Sequence, residues 1–281
     1  MTVRPGSSTR QRVVVVEGGR PSSRRDALAT EEPLELRLVA GQERRTLAVT
    51  MRTPGADFEL AAGFLYGEGV VGEREAIRRI TYCVDASVED AQRYNIVNVE
   101  LASDSLPNLP HLERHFFTNS ACGVCGRAGL ETLSERGCAP VAAGPVVAPA
   151  LIYGLPARLR EPQRIFASTG GLHAAGLFSA EGELLALRED VGRHNAVDKL
   201  IGWALLAGML PLSQCVMLVS GRASYEIVQK AMVAGVPLLC AVSAPSNLAV
   251  AVAQSFGMTL IGFLRAERFT IYSGAERVIL G

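Results

Sequence analysis

Short apolar runs alternate with helical patterns through the second half of this chain, and that alternation constrains the fold more than any other feature. Strand-like runs at 215–219, 237–242 and 258–264 are interleaved with helical spacing at 194–207, 224–234 and 247–256. Apolar runs this short read as buried strands, and a helix between successive strands calls for a parallel or mixed sheet with helices on its faces. Further strands are expected at 165–169, 175–179 and 184–188. The predicted class is α/β, a mixed sheet covered by helices.

The first half reads as a smaller α+β part. A polar tail over 1–10 is expected to be disordered, and Val13–Val16 to form a buried strand. After a basic loop from Arg20 to Arg25, alternation at 33–39 and 44–50 around Gly41 predicts a hairpin. Asp57 is placed as the cap of a helix from Phe58 to Tyr66, with Leu60 and Phe64 on one face. Strands at 80–84 and 94–101 follow. A stretch rich in Ala, Pro and Gly at 139–149 marks the boundary between an N-terminal part, 11–145, and a C-terminal α/β part, 146–281. Beyond it, Leu151, Leu155 and Leu159 keep helical spacing, with Pro156 as a kink.

Composition narrows the function classes. With 48% apolar and 20% charged residues over 281 positions, the chain suits a soluble globular protein with a sizeable core. A formal net charge of zero argues against general nucleic-acid binding and leaves room for a local cationic pocket. The longest apolar run, Ile201–Leu212, is too short to cross a bilayer. Arg24-Arg25 is followed by no apolar segment, so it is not read as an export signal. Six cysteines in a chain this long do not make a disulfide scaffold; Cys83, Cys138, Cys215 and Cys240 have no regular spacing, and Cys215 and Cys240 read as small buried hydrophobes. The expected compartment is the reducing cytoplasm.

The chemistry concentrates in two places. Ser120-Ala121-Cys122-Gly123-Val124-Cys125-Gly126 is a glycine-framed C-x-x-C loop followed by a helix-like stretch from Arg127. A helix N-terminus and Arg127 both favour a thiolate. Such a pair can bind metal, cycle between dithiol and disulfide, or carry sulfur as a persulfide. A zinc site needs two more ligands, for which His111 and His115 are the local candidates; a thioredoxin-like reading lacks its βαβ setting.

The second place is a set of strand-to-helix junctions. Arg193, His194 and Asn195 open one helix, Ser220-Gly221-Arg222-Ala223-Ser224 precede another, and Ser243 to Asn247 a third. Ligands of open α/β sheets collect at strand carboxyl ends, and hydroxyls, glycine and arginine at helix starts suit phosphate oxygens. Taken alone, Ser246 or Asn247 would be a plain N-cap. The turn from Ser168 to His173 offers a fourth wall, with His173 either a base or a structural histidine, and Phe263–Arg268 adds two cations and an aromatic ring. Neither a Walker A sequence nor Gly-x-Gly-x-x-Gly is present, and the zinc-deaminase pattern is missing. The junctions point to a nucleotide or another phosphorylated ligand.

These residues together resemble a known family. Val49-Thr-Met-Arg-Thr-Pro-Gly and Leu60-Ala-Ala-Gly-Phe-Leu-Tyr-Gly-Glu-Gly, the cysteine loop, Thr169-Gly-Gly-Leu-His, Arg188-Glu-Asp-Val-Gly-Arg-His-Asn and Ser220-Gly-Arg-Ala-Ser-Tyr-Glu are similar, in this order, to motifs of the FdhD family. These are the formate dehydrogenase accessory sulfurtransferases, and the likeness runs from residue 31 to 272. It implies a sulfur carrier that takes sulfur from a cysteine desulfurase and passes it to a molybdenum (or tungsten) bis-pterin guanine dinucleotide cofactor, which formate dehydrogenase requires. By the same resemblance Cys122 bears the persulfide and Cys125 assists. Phe263, Leu264, Arg265, Ala266, Glu267 and Arg268 correspond to a segment implicated in cofactor binding. With Arg193, His194, Ser220, Gly221, Arg222 and Asn247 from the junctions, they make up the expected cofactor site, where a GDP-like ligand would sit. The resemblance further implies a cytidine deaminase-like C-terminal part without the zinc site, and a homodimer. The alternative is a non-catalytic chaperone that holds and delivers the cofactor, which Cys122→Ala would spare.

Overall fold

A computed structural model describes residues 6–108 and 139–280. Cys122, Cys125, His111 and His115 therefore lie outside the described residues. The first half contains β1 (Ser8–Glu17), β2 (Arg20–Ala29), β3 (Glu32–Ala40), β4 (Glu43–Arg52), α1 (Asp57–Gly67), β5 (Ile77–Tyr82), α2 (Asp90–Arg93) and β6 (Ile96–Leu101). The second contains α3 (Pro149–Arg160), α4 (Arg164–Thr169), β7 (His173–Phe178), β8 (Leu184–Asp190), α5 (Arg193–Leu206), β9 (Val216–Val219), α6 (Tyr225–Val233), β10 (Leu238–Ala241), α7 (Asn247–Ser255), β11 (Thr259–Arg265) and β12 (Arg268–Ser273).

The second half is built on a six-stranded sheet in the order β12-β11-β10-β9-β7-β8. Strands β9, β10 and β11 run parallel, while β7, β8 and β12 pair antiparallel. Every residue of Val-Met-Leu-Val in β9 and Leu-Leu-Cys-Ala in β10 is buried, as a central strand covered on both faces requires. Ile152, Leu155 and Leu159 of α3 cover one face against Leu218, Leu238 and Ile261. Val197 and Leu200 of α5, Ile227 of α6 and Val252 of α7 cover the other against Met217, Leu239 and Leu260. A mixed α/β sheet clothed by helices is what the alternation predicts.

In the first half, four strands in the order β4-β3-β6-β5 lay one face on α1, whose Leu60 and Leu65 pack on Leu34, Leu36, Leu38 and Val99. Helix α1 also meets α5 backbone to backbone. A Cβ on Gly63 would fall 1.8 Å from the Asp198 carbonyl oxygen, and one on Gly202 would fall 1.8 Å from that of Glu59. Only glycine permits this approach.

Polar groups complete the joint. The fully buried Asp190 carboxylate accepts from Thr53 N–H (3.1 Å), Gly192 N–H (2.8 Å) and Asn195 Nδ2 (3.0 Å), and pairs with Lys199 Nζ at 2.7 Å. Lys199 also donates to Thr53 O, and Asn195 to Met51 O. A buried ion pair is tolerable when further hydrogen bonds satisfy both partners, as here. The network holds the first turn of α5 in place against the end of β4.

Several expectations are corrected. Val13–Val16 lie in β1, which among the described residues pairs only with β2, and Val14 and Val16 are 69% and 64% exposed rather than buried. Ser8–Arg10, assigned to a disordered tail, begin that ribbon, and the basic loop from Arg20 is its second strand. The run at 165–169 is helix α4, not a strand. Asp57 is the first residue of α1 rather than its cap; Ala56 takes the N-cap position in the left-handed region, while the Asp57 carboxylate binds the buried Arg52. The helical spacing of Leu151, Leu155 and Leu159 is met by α3, which contains Pro156 between Pro149 and Arg160.

Candidate functional site

Backbone hydrogen bonds lace the predicted junctions into a single rim. Antiparallel pairing sets His173 opposite Asp190, bringing the start of β7 beside the end of β8. Ser220 N–H donates to Ala174 O and Ser220 Oγ accepts from Ala174 N–H, both at 2.9 Å. Ser243 N–H reaches Gly221 O (3.2 Å), Ala223 N–H reaches Ala244 O (3.2 Å), and Phe263 N–H reaches Ser243 O (3.1 Å). The carboxyl ends of β8, β9, β10 and β11 thus stand side by side, with α5, α6 and α7 starting from the same edge.

These helix starts are not equivalent. Ser246 caps α7, its Oγ accepting from Ala249 N–H at 3.2 Å. Gly192, at the N-cap of α5, has no side chain to do so. Ser224 holds the N-cap position of α6 but makes no cap; its Oγ lies 3.2 Å from His194 Nε2. Neither N-cap residue therefore closes its helix with its own side chain, although at α5 the Asp190 carboxylate accepts from the Gly192 N–H; a helix end without its cap suits an anion.

Cationic side chains surround these two ends. Arg193 Nε is buried without a hydrogen-bond partner. Arg222 is exposed and carries no ion pair or hydrogen bond among the described residues. Gly221 sits between them and His173: a Cβ there would lie 3.4 Å from His173 Nδ1 and 3.8 Å from Arg193 Cδ. Its φ is not positive and a Cβ would make only ordinary contacts, so neither backbone conformation nor crowding requires glycine here; its missing side chain leaves the spot open. Burial, then the charges of Arg193, His194 and Arg222, push the His173 imidazole below its ordinary value, with Asp190 opposing. Its ring is neutral at pH 7.

His194 makes a second contact through the same nitrogen, Nε2 to Glu226 Oε2 at 2.9 Å. That hydrogen bond holds the Glu226 carboxyl below its ordinary value against the effect of burial, and Lys230 and Arg193 add to it. Both partners engage one nitrogen, so serine, histidine and glutamate do not form a nucleophile relay, which needs the two ring nitrogens. The trio is a clamp between α5 and α6.

The FdhD/NarQ family model matches residues 29–279. The chain belongs to that family. It is 52% identical over 274 residues to the sulfur carrier protein FdhD of Streptomyces coelicolor, covering 96% of this chain and 95% of the relative. The sulfur carrier protein FdhD of Mycolicibacterium paratuberculosis is 50% identical over 273 residues, at 96% and 98% coverage. Among solved structures, that of a candidate formate dehydrogenase accessory protein from Desulfotalea psychrophila superposes with a TM-score of 0.74 at 27% identity, covering 97% of this chain and 99% of that one.

In this member of the FdhD/NarQ family the rim gathers Arg193, His194, Ser220, Gly221, Arg222 and Asn247, but their settings differ. Asn247 is an exposed first residue on the capped helix α7. Within the segment Phe263–Arg268, Phe263 has φ +52°, costly for a residue with a Cβ, and its ring is 41% exposed beside Ser243. Leu264 is instead a core residue packed with Ile261. Arg265 Nη1 donates to Val242 O (2.5 Å) and Leu264 O (2.9 Å), while Ala266, Glu267 and Arg268 form the exposed turn into β12. Arg265 and Arg268 have no ion pair among the described residues.

Sequence reasoning did not single out Ser224 and Glu226 as partners of His194, or Asp190 and Lys199 as the support of α5. The only signal for the first pair was their place in the Ser220–Glu226 run. Cys215 and Cys240 are buried as expected, and burial pushes both thiols up. Among the described residues no His/Cys/Asp/Glu cluster could hold a metal ion, and no helix is long and apolar enough to cross a membrane.

Proposed function

We propose that this member of the FdhD/NarQ family is a sulfur carrier that loads a persulfide on Cys122 and passes the sulfur to a molybdenum or tungsten bis-pterin guanine dinucleotide held at the rim. The observation carrying the rim half is the pair of uncapped helix starts, α5 and α6, facing Arg193, Arg222 and His173 around the space left by Gly221. Uncapped helix ends and the unpartnered guanidinium of Arg222 suit the diphosphates of a guanine dinucleotide. The exposed ring of Phe263 offers a flat face nearby for a base or pterin.

Loading is a thiol–persulfide exchange. The Cys122 thiolate attacks the outer sulfur of a cysteine desulfurase persulfide, that S–S bond breaks, and the donor cysteine leaves as thiolate. Cys125 assists, positioning or resolving the loaded sulfur. The part spanning 11–145 brings the cysteine loop, and the part spanning 146–281, deaminase-like in this reading, brings the cofactor. Formate dehydrogenase is the client, the protein works in the cytoplasm, and a homodimer is its working form.

Intact mass spectrometry without reductant tests the carrier half. After incubation with a cysteine desulfurase and cysteine, the wild type is expected to gain sulfur that reductant removes, and Cys122→Ala to gain none. No gain on the wild type, with the desulfurase active on another acceptor, would leave a cofactor chaperone as the better account.

A further inference from the structure

We infer that His173 contacts the ligand at the rim, and that binding a phosphorylated ligand there is coupled to uptake of a proton by its imidazole. The inference rests on the anion-site reading above and deepens it.

The geometry isolates this ring. His173 is the first residue of β7, half-buried, with no hydrogen-bond partner among the described residues. Its Nδ1 borders the space that Gly221 leaves open, as does the Arg193 side chain. The charged or titratable groups facing it are Arg193 and His194 from α5, Arg222 from the loop before α6, and Asp190 from β8. Asp190 is already matched by Lys199 and three N–H donors, so it does little to support an imidazolium.

Without ligand, burial and the charges of Arg193 and Arg222 hold the imidazole below its ordinary value, which favours the neutral ring. A phosphoryl group entering among Arg193, Arg222 and the helix ends reverses the sign of the local field. The ring is then better off protonated, donating from Nδ1 to a phosphate oxygen, with the proton drawn from solvent. By linkage, affinity rises as pH falls between the bound-state and free-state titrations of His173, by up to about tenfold per pH unit.

The test is isothermal titration calorimetry of the full chain with GDP, in buffers of differing ionisation enthalpy, on wild type and His173→Gln. The phosphate's own ionisation and His194 are common to both proteins, so the difference isolates His173. The expected result is greater proton uptake by wild type, with affinities that converge at alkaline pH and separate as pH falls. Equal proton exchange in the two proteins would overturn the inference and leave the anion site standing. Failure of wild type to bind GDP would overturn both.

A second variant tests the location. In Gly221→Ala the added Cβ makes only ordinary contact with His173 Nδ1, so melting temperature should be unchanged. GDP affinity should fall about tenfold or more because the methyl fills the binding space. GDP affinity equal to wild type would place the ligand elsewhere and overturn the inference.

Discussion

Helices α6 and α7 start from nearly the same local design and present opposite surfaces. Each follows a fully buried strand of four residues, each has nine residues, and each has an extended serine at its N-cap. Ser246 turns to its own helix and satisfies it. Ser224 turns away to His194, thirty positions earlier in the chain. Side-chain capping is a competition among nearby hydrogen-bond partners, and a rival supplied by another helix wins it at α6. A capping motif therefore does not show whether a helix end is closed or open to a ligand.

The comparison holds only while α5 keeps His194 in position, and Asp190→Ala is the change that breaks it most. It removes the carboxylate facing buried Lys199 and three donors at once. The expected loss is about 3–5 kcal/mol of folding stability, read as a fall in the urea midpoint. A variant unfolding at the wild-type midpoint would show that the network does not hold α5.

The serines give a finer test. Ser246→Ala should cost about 1 kcal/mol, the usual worth of an N-cap, and leave GDP binding unchanged. Ser224→Ala should cost less than half of that, since its hydroxyl caps nothing. With His194→Ala already present, Ser224 is free to cap, and its removal should then cost about 1 kcal/mol. Equal costs for Ser224→Ala in the two backgrounds would mean His194 does not divert the hydroxyl.

How much of this was legible in the sequence follows from how far the deciding contacts reach. Strands β9 and β10 and helices α5 to α7 were readable because burial on both faces leaves an unbroken apolar run between amphipathic segments. The same rule misread Val13–Val16, since an apolar run does not show whether a second sheet covers it, and among the described residues this strand pairs with β2 alone. It also misread Ile165–Thr169, where a short run fits strand or helix alike; Glu189 settles it as a helix by accepting from the N–H groups of Ile165 and Phe166. The rim residues were found from their types at strand ends. Their grading was not, because Leu264 in the core, Asn247 on a capped helix and Ser224 turned to His194 are decided by neighbours distant in sequence.

The smallest expected effect concerns acid. Helix α6 carries Glu226 in its first turn, held by His194, whereas α7 has no acidic residue there. The Glu226 carboxyl titrates lower folded than unfolded, so its contribution to stability is fully present above the ordinary glutamate value of 4.5 and is lost as pH falls through the folded value. Glu226→Gln removes that contribution, and the variant's stability should decline less steeply than wild type's below that pH. Because Glu226 is partly exposed, the difference should shrink in high salt. Hydrogen exchange below pH 4.5 would localise the effect: the first hydrogen-bonded amides of α6, from Val228 on, should lose protection in wild type as Glu226 protonates, while those of α7 keep theirs. Equal loss at both helix starts would mean that acid loosens the rim as a whole, and that the His194 clamp does not set α6 apart.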